Sequence, residues 1–354
     1  MSFPSPSFQR GAATPSFVHP PGHFRFESHR APSHLGPAIE PEVFPRRSAR
    51  AGLLGAVLRH GARPVMNAWS QIPAPIFPPD VAEVASSFLP NIPGSTHQQV
   101  ALSHCRAEIV RAAGVGTDGE HVILYLHGGA FFTCGLNSHR RMVTRISAES
   151  DMPVLNVDYR QMPEASVTTS IADGVDGFRW LLTQGYQADR ITIVGDSAGG
   201  YLAFTVARAV IDAGLGRPAA IVGISPLLEI DPAAKIAHSN SRRCQAFSPV
   251  SLTRLASTIE RIDRRMGHVG SRICPIDMDL TDLPPVLMHI GSREILFHDV
   301  ERMANRLLAA GIACEMQVWK DQIHVFQAAA LWVPEARQAI AEIGAFVRRT
   351  VPVG

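Results

Sequence analysis

The sequence predicts an α/β fold, a mostly parallel central sheet with helices on both faces, and three observations predict it. Short apolar runs recur between longer stretches of helical periodicity. Those runs lack polar alternation, as strands buried on both faces should. Of the 354 residues, 46% are hydrophobic and 18% charged, which is enough apolar material for a large core and too much for a disordered chain. The length exceeds an average domain of about 150 residues, but a large α/β fold accommodates it around one sheet.

In chain order, residues 1–45 carry nine of the 27 prolines, with Ser, Gly and His between them. Proline fixes φ and removes a donor, so this segment is expected to form no regular helix or strand and to be a poorly ordered arm. Its phenylalanines, Phe3, Phe8, Phe17, Phe24, Phe26 and Phe44, are more than a solvated tail usually carries. Contact with the body of the protein or with a partner therefore stays open. Residues 46–70 read as a helix: Leu54, Val57 and Leu58 recur at i, i+3 and i+4, flanked by Arg46, Arg47, Arg50, Arg59 and Arg63. A basic amphipathic helix fits a membrane surface, but burial of one face against the protein is the ordinary role and the one expected. Pro73, Pro75, Pro78, Pro79 and Pro90 then punctuate a loop-rich stretch.

Buried strands are predicted at 122–126, 153–157, 191–194, 220–224, 286–290 and 314–319. Helices are predicted between them at 138–149, 167–184, 198–213 and 300–310. A final helix begins near Pro334, with Ala336, Ile340, Ile343 and Val347 on one face. The stretch between the fourth and fifth strands is too long for a simple crossover, so residues 226–282 are expected to include an inserted helical piece. No internal repeat is visible.

Net charge is +2, which points to no nucleic acid and no acidic partner protein. Lys235 and Lys320 are the only lysines, a bias that reads as base composition. Cys105, Cys134, Cys244, Cys274 and Cys314 are scattered, without zinc spacing. Isolated thiols point to a reducing compartment, and a cytoplasmic location is expected. There is no apolar run of about 18 residues to span a membrane as a helix, and no secretory signal pattern at the N-terminus.

Two motifs carry chemistry. Gly195-Asp196-Ser197-Ala198-Gly199 fits G-x-S-x-G, directly after an apolar strand and at the opening of a helix. A serine on such a turn projects its hydroxyl above the sheet at the positive end of the helix. His127-Gly128-Gly129-Ala130-Phe131-Phe132 follows another buried strand. Backbone N–H groups in a glycine-rich turn suit the negative oxygen of a tetrahedral intermediate. His127 itself is expected to be structural. No phosphate-binding, zinc-protease or dinucleotide motif stands in a suitable setting, so neither cofactor nor metal is implied.

With these residues the sequence resembles the hormone-sensitive-lipase-like branch of the α/β-hydrolases, the bacterial family IV carboxylesterases. The resemblance is carried by His127 to Ala130, Asp158-Tyr159-Arg160 with Pro163-Glu164, Gly195 to Gly200, and Ile323-His324-Val325-Phe326. It spans roughly residues 100–345; the arm at 1–45 lies outside it. Ala130 departs from the third glycine of many members, which is tolerable where only its N–H is used. The resemblance implies an α/β-hydrolase fold with a helical cap: 46–95 as N-terminal cap helices, and 96–354 as the catalytic domain with a cap insertion at about 226–282.

His324 is the expected general base, in the loop after the last predicted strand, where the order Ser, acid, His puts it. His121, His139, His289 and His298 lie before or within other elements and are not favoured. The acid follows the strand ending at Ile290. Many relatives have Asp-Pro-Leu there, and matching Leu296 to that leucine puts Glu294 on the aspartate position, with Asp299 as the alternative. Asp158-Tyr159-Arg160 is expected to be architectural and Asp196 a brace. Asp321, though near His324 in sequence, is not expected to be the acid.

The implied activity is a serine carboxylesterase. Ser197 attacks, His324 moves the proton and Glu294 orients His324. The N–H groups of Gly129, Ala130 and Ala198 hold the oxyanion, with Gly128 shaping the loop. The substrate is expected to be a small ester of short to medium acyl chain, with Phe131, Phe132 and the region of Trp69 as candidate pocket residues. Alternatives are a lipase for longer chains, for which the basic helix is the support, and an amidase or tailoring hydrolase. A non-catalytic ligand receptor is less consistent with the presence of both Ser197 and His324. A homodimer is compatible with the resemblance but untested by the sequence.

Overall fold

The computed structural model describes residues 38–70, 81–117, 119–268 and 273–351. Most of the arm at 1–45 therefore lies outside the described residues. Nine strands form one sheet: β1 (Glu42–Phe44), β2 (Thr96–Ala101), β3 (Arg106–Arg111), β4 (Val122–Leu126), β5 (Val154–Asp158), β6 (Ile191–Asp196), β7 (Ala220–Ile224), β8 (Val286–Gly291) and β9 (Cys314–Trp319). Their order is β1-β9-β8-β7-β6-β4-β5-β3-β2. All neighbours from β1 to β5 run parallel; β3 is antiparallel to β5, and β2 to β3.

The apolar runs are buried on both sides, and their side chains alternate between two separate cores. Along β4, Val122, Leu124 and Leu126 enter one core while Ile123 and Tyr125 enter the other. Along β8, Val286, Met288 and Ile290 enter the first and Leu287 the second. The first core is completed by α5 (Val167–Thr183), α6 (Ala198–Asp212) and α9 (Phe297–Ala309), the second by α4 (Leu136–Ser150) and α10 (Pro334–Thr350). Small residues let these layers approach. A Cβ at Gly174 of α5 would lie 2.5 Å from Val206 of α6, and one at Gly344 of α10 would lie 2.3 Å from the Glu149 carbonyl on α4.

Residues 46–70 contain α1 (Ala49–Val57), a π-helical turn (Leu58–Ala62) and α2 (Arg63–Ser70); α3 (Val81–Ser87) follows. Ala51 and Gly55 form the inward face of α1, where a Cβ on Gly55 would meet Gln245 at 2.5 Å. The stretch between β7 and β8 holds α7 (Ala233–Ala237) and α8 (Pro249–Arg265), the latter opened by a Ser248–Ser251 capping box with proline in its first turn. Among the described residues, no helix is long and apolar enough to cross a membrane.

Three strands differ from the expectation. β1 lies in the segment expected to be irregular, held by pairing with β9 and by Phe44 stacked on Trp319 at 3.9 Å. The β2–β3 hairpin was not visible as strands because β2 is mostly exposed and β3 carries Glu108 at its centre. That glutamate is fully buried, and Arg140 of α4 neutralises it through hydrogen bonds of 2.8–3.1 Å.

Candidate active site

Ser197 stands between β6 and α6 with φ 53° and ψ −117°, a strained conformation for a non-glycine residue. The flanking glycines explain how the turn closes. A Cβ on Gly195 would lie 2.1 Å from the Gly199 carbonyl, and one on Gly199 would lie 1.9 Å from the Leu126 carbonyl. No side chain fits at either place, so the end of β4 packs directly under the serine turn.

The loop after β4 is fixed from below. Gly128 N–H donates to Asp196 Oδ1 at 2.9 Å, and Tyr125 Oη–H donates to the same oxygen at 2.7 Å. Beyond it, Gly129, Ala130 and Phe131 all take positive φ. The N–H groups of Gly129, Ala130 and Ala198 donate to no protein acceptor among the described residues. Those are donors that remain available to a developing oxyanion.

Asp196 is buried beside His139, whose Nε2 lies 3.3 Å away. Burial pushes the carboxyl up, but the His139 charge, with hydrogen bonds from His139 and Tyr125, holds it below its ordinary value. Burial likewise lowers His139, and Asp196 more than reverses this, so the imidazole stays above its ordinary value. Burial and the nearby His139 charge lower His127 to about 4. His127 is thus neutral; its ring stacks on Tyr159 at 4.3 Å, and its Nδ1 is 2.7 Å from the Gly128 carbonyl. The Asp158-Tyr159-Arg160 segment braces this loop: Tyr159 Oη–H donates to the His127 carbonyl at 2.7 Å, and Arg160 pairs with Asp173 at 2.7 Å.

On the other side, His324 Nε2 accepts from Ser197 Oγ at 2.9 Å, and His324 Nδ1 donates to Glu294 Oε2 at 2.7 Å. Glu294 is 2% exposed, and its second oxygen accepts from Gly291 N–H at 2.7 Å and Ser225 Oγ–H at 2.8 Å. The structure thus brings Ser197, His324 and Glu294 into one hydrogen-bonded line. Asp299 faces elsewhere: it is buried against Lys235, whose Nζ is 3.1 Å away and also donates to the carbonyls of Glu229 and Asp231. Asp321 pairs with Arg293 at 2.5 Å rather than with the imidazole.

Sequence reasoning missed Ser225. It follows β7 with φ 46°, supports Glu294, and accepts from Val325 N–H at 3.3 Å, so it touches both Glu294 and the loop that carries His324. Its only signal was a small polar residue at a strand end. Phe131 does not stand as a pocket residue: it is fully buried, edge-on to Tyr201 at 5.6 Å. Phe132 is partly buried against the first core, and the Trp69 side chain lies outside the described residues. Phe247, from the inserted stretch, meets the His324 ring at 4.8 Å and was not singled out. Among the described residues, no group of three His, Cys, Asp or Glu side chains is arranged to hold a metal ion.

The chain as a whole is similar to known proteins of this fold. A family described by the alpha/beta hydrolase fold matches residues 123–328. The chain is 40% identical over 296 residues to the esterase LipU of Mycobacterium tuberculosis, covering 81% of this chain and 98% of that one. It is 39% identical over 260 residues to the carboxylesterase/phospholipase LipF of the same organism, covering 72% and 69%. Among solved structures, the esterase EstE5 superposes with a TM-score of 0.76 at 31% identity, covering 86% of this chain and 99% of that one. An esterase from the bacterial hormone-sensitive lipase family superposes with a TM-score of 0.74 at 28% identity, covering 87% and 100%.

Proposed function

The chain belongs to the α/β-hydrolase fold family, in its hormone-sensitive-lipase-like branch of carboxylesterases, and on that premise we propose a serine esterase mechanism centred on Ser197. The observation that carries it is the line from Ser197 Oγ through the imidazole of His324 to Glu294, with steps of 2.9 and 2.7 Å. Ser197 Oγ attacks the ester carbonyl carbon as its proton passes to His324 Nε2. Glu294 holds the tautomer with Nδ1 protonated and stabilises the imidazolium that forms. The carbonyl oxygen becomes an oxyanion held by the N–H groups of Gly129, Ala130 and Ala198. The tetrahedral adduct collapses, its bond to the alcohol oxygen breaks, and His324 returns the proton to the departing alcohol. Water then attacks the acyl-enzyme, giving its proton to His324, and Ser197 leaves with that proton as the carboxylic acid departs.

We read α1–α3 and residues 226–282 as a cap over this site; Phe247 beside His324 supports it. A capped site favours compact esters of short to medium chain over lipid aggregates. The test is hydrolysis of p-nitrophenyl esters from acetate to palmitate, with Ser197→Ala as control. A serine-dependent maximum at short chains supports the reading. Silence on every ester with the protein folded overturns it.

A lipase working at interfaces is the second reading. Leu53, Val57, Val65, Val84 and Phe88 in and beside α1–α3 are all more than half exposed, close in sequence to five arginines at 46–63. Activity that rises toward palmitate above its aggregation concentration selects that reading. Free thiols at Cys105, Cys244, Cys274 and Cys314 support a reducing, cytoplasmic setting. A homodimer of this chain would use a surface other than the β9 ladder, because β1 occupies that edge.

A further inference from the structure

We propose that β1 and the residues leading from it into the first turn of α1 form a strap that positions His324, by holding the strand that enters its loop and the start of the helix beyond it. The proposal rests on the reading of His324 as the base. Between β9 and the short 3-10 turn at Phe326–Ala329 the chain forms neither helix nor strand, and Val325 takes φ 50°. His324 therefore draws little rigidity from its own segment. Ser225, Ser292 and Arg293 contact it from the neighbouring strand ends, and a further set of contacts comes from more than 270 residues upstream in sequence.

At the entrance to the loop, the Phe44 ring stacks on Trp319 at 3.9 Å with planes 10° apart. The Phe44 carbonyl accepts from Lys320 N–H at 3.0 Å, and Glu42 accepts from Gln317 Nε2 at 2.9 Å. Arg47 reaches Asp321 at 3.8 Å, and the same carboxylate pairs with Arg293, the neighbour of Glu294. Beyond the 3-10 turn, in the first turn of α10, Glu335 accepts at its two oxygens from Ser48 N–H and Oγ–H at 2.5 and 2.9 Å. Arg50 donates to the Trp332 carbonyl at 3.3 Å.

The contributions differ in kind. The Arg47 pair is partly solvated, and such pairs hold little. The stacked ring and the serine–glutamate pair are better sheltered; Glu335 is buried and Trp319 nearly completely so. As a source of stability, β1 is a poor element: three residues at a sheet edge, with Val43 pointing to solvent. Its contacts nevertheless converge on residues 317–320, and those of the following residues on 321, 332 and 335. A relay that needs an oriented imidazole is sensitive to this, because a misplacement of about 1 Å can lower a rate about a hundredfold.

The test uses the full chain with Phe44→Ser, Ser48→Ala and the conservative Phe44→Tyr. Steady-state hydrolysis of p-nitrophenyl butyrate is followed for kcat and KM, beside thermal unfolding and labelling of the wild-type protein with a serine-directed fluorophosphonate. The expected result is a kcat lowered about ten- to a hundredfold in Phe44→Ser, with KM within about threefold. Ser48→Ala should show a smaller change of the same kind, and Phe44→Tyr should retain wild-type kinetics. An unchanged kcat in folded Phe44→Ser overturns the strap. So does a loss matching the unfolded fraction, or an equal loss in Phe44→Tyr. Failure of the fluorophosphonate to label Ser197 in the wild type would instead overturn the serine reading itself.

Discussion

The two halves of the site are held in different ways. The nucleophile half, at the ends of β4 and β6, is fixed by backbone. Glycines at 128, 195 and 199 sit where a Cβ would strike a neighbouring polar atom at 1.9–2.2 Å, and one buried carboxylate, Asp196, ties the two loops together. The base half, at the ends of β7, β8 and β9, is fixed by side chains from distant segments: Ser225 on Glu294, Phe44 on Trp319, Arg293 and Arg47 on Asp321. The difference teaches that the nucleophile is set by what the chain cannot do otherwise, and the base by what other segments bring to it. Variants of the groups that support the first half should fail sharply; variants of those that support the second, such as Ser225 and Phe44, should fail by degree.

The largest effect expected is that of Ser197→Ala, which removes the nucleophile while leaving the glycine contacts intact. Hydrolysis should fall by about 10⁴-fold or more, with an unchanged circular dichroism spectrum. A residual rate within tenfold of wild type would falsify the role of Ser197.

Glu294→Gln should come next, with kcat down by about 10³- to 10⁴-fold, as a neutral amide permits the wrong tautomer. Asp299→Asn sharpens the comparison, because the two carboxylates lie five residues apart in sequence. It should leave kcat near wild type but cost about 3 kcal/mol in urea unfolding, since it leaves Lys235 buried without its counter-charge. Exchange of these two outcomes would move the acid to Asp299.

The smallest effect concerns pH, and each half contributes one group. Burial lowers His127 to about 4 in the nucleophile half and His289 to about 3 in the base half. Both are neutral when folded, whereas the unfolded chain protonates them near their ordinary 6.5. Below that pH the unfolded state binds more protons, so stability is lost as pH falls, by up to about 1.4 kcal/mol per unit for each group. The loss continues down to their folded values. The His139–Asp196 pair adds the opposite trend on the alkaline side. The folded pKa of His139 is raised, so its contribution is complete below the unfolded value and disappears as pH rises through the folded one. Replacing His289 by Gln should flatten the slope of unfolding free energy between pH 6 and 5 by roughly half of the two-histidine contribution. An unaltered slope would mean that His289 takes up its proton in the folded protein.

Legibility in the sequence follows the same division. Ser197 and the loop from His127 to Ala130 could be read directly, because their requirement for small residues is local and leaves a pattern a few residues long. The six buried strands could be read because two-sided burial imposes unbroken apolar runs. His324 needed the order of the elements as well, and Glu294 needed a resemblance, since a carboxylate beside a second carboxylate carries no mark of which one turns inward. The β2–β3 hairpin could not be read, as Glu108 breaks its apolar pattern and its burial is made tolerable by Arg140 on α4 and Asn156 on β5.

By itself, then, the sequence determined the layered α/β architecture, the strained serine turn and the glycine loop beside it, because backbone sterics and hydrophobic periodicity act over short distances. The tertiary structure alone decided that Glu294 faces His324 while Asp299 faces Lys235, that Ser225 supports both the acid and the loop of the base, and that Phe44 rests on Trp319. Each of those choices joins side chains far apart along the chain or selects among equivalent charges. The energy that makes the choice exists only once the sheet has brought the ends of its strands together.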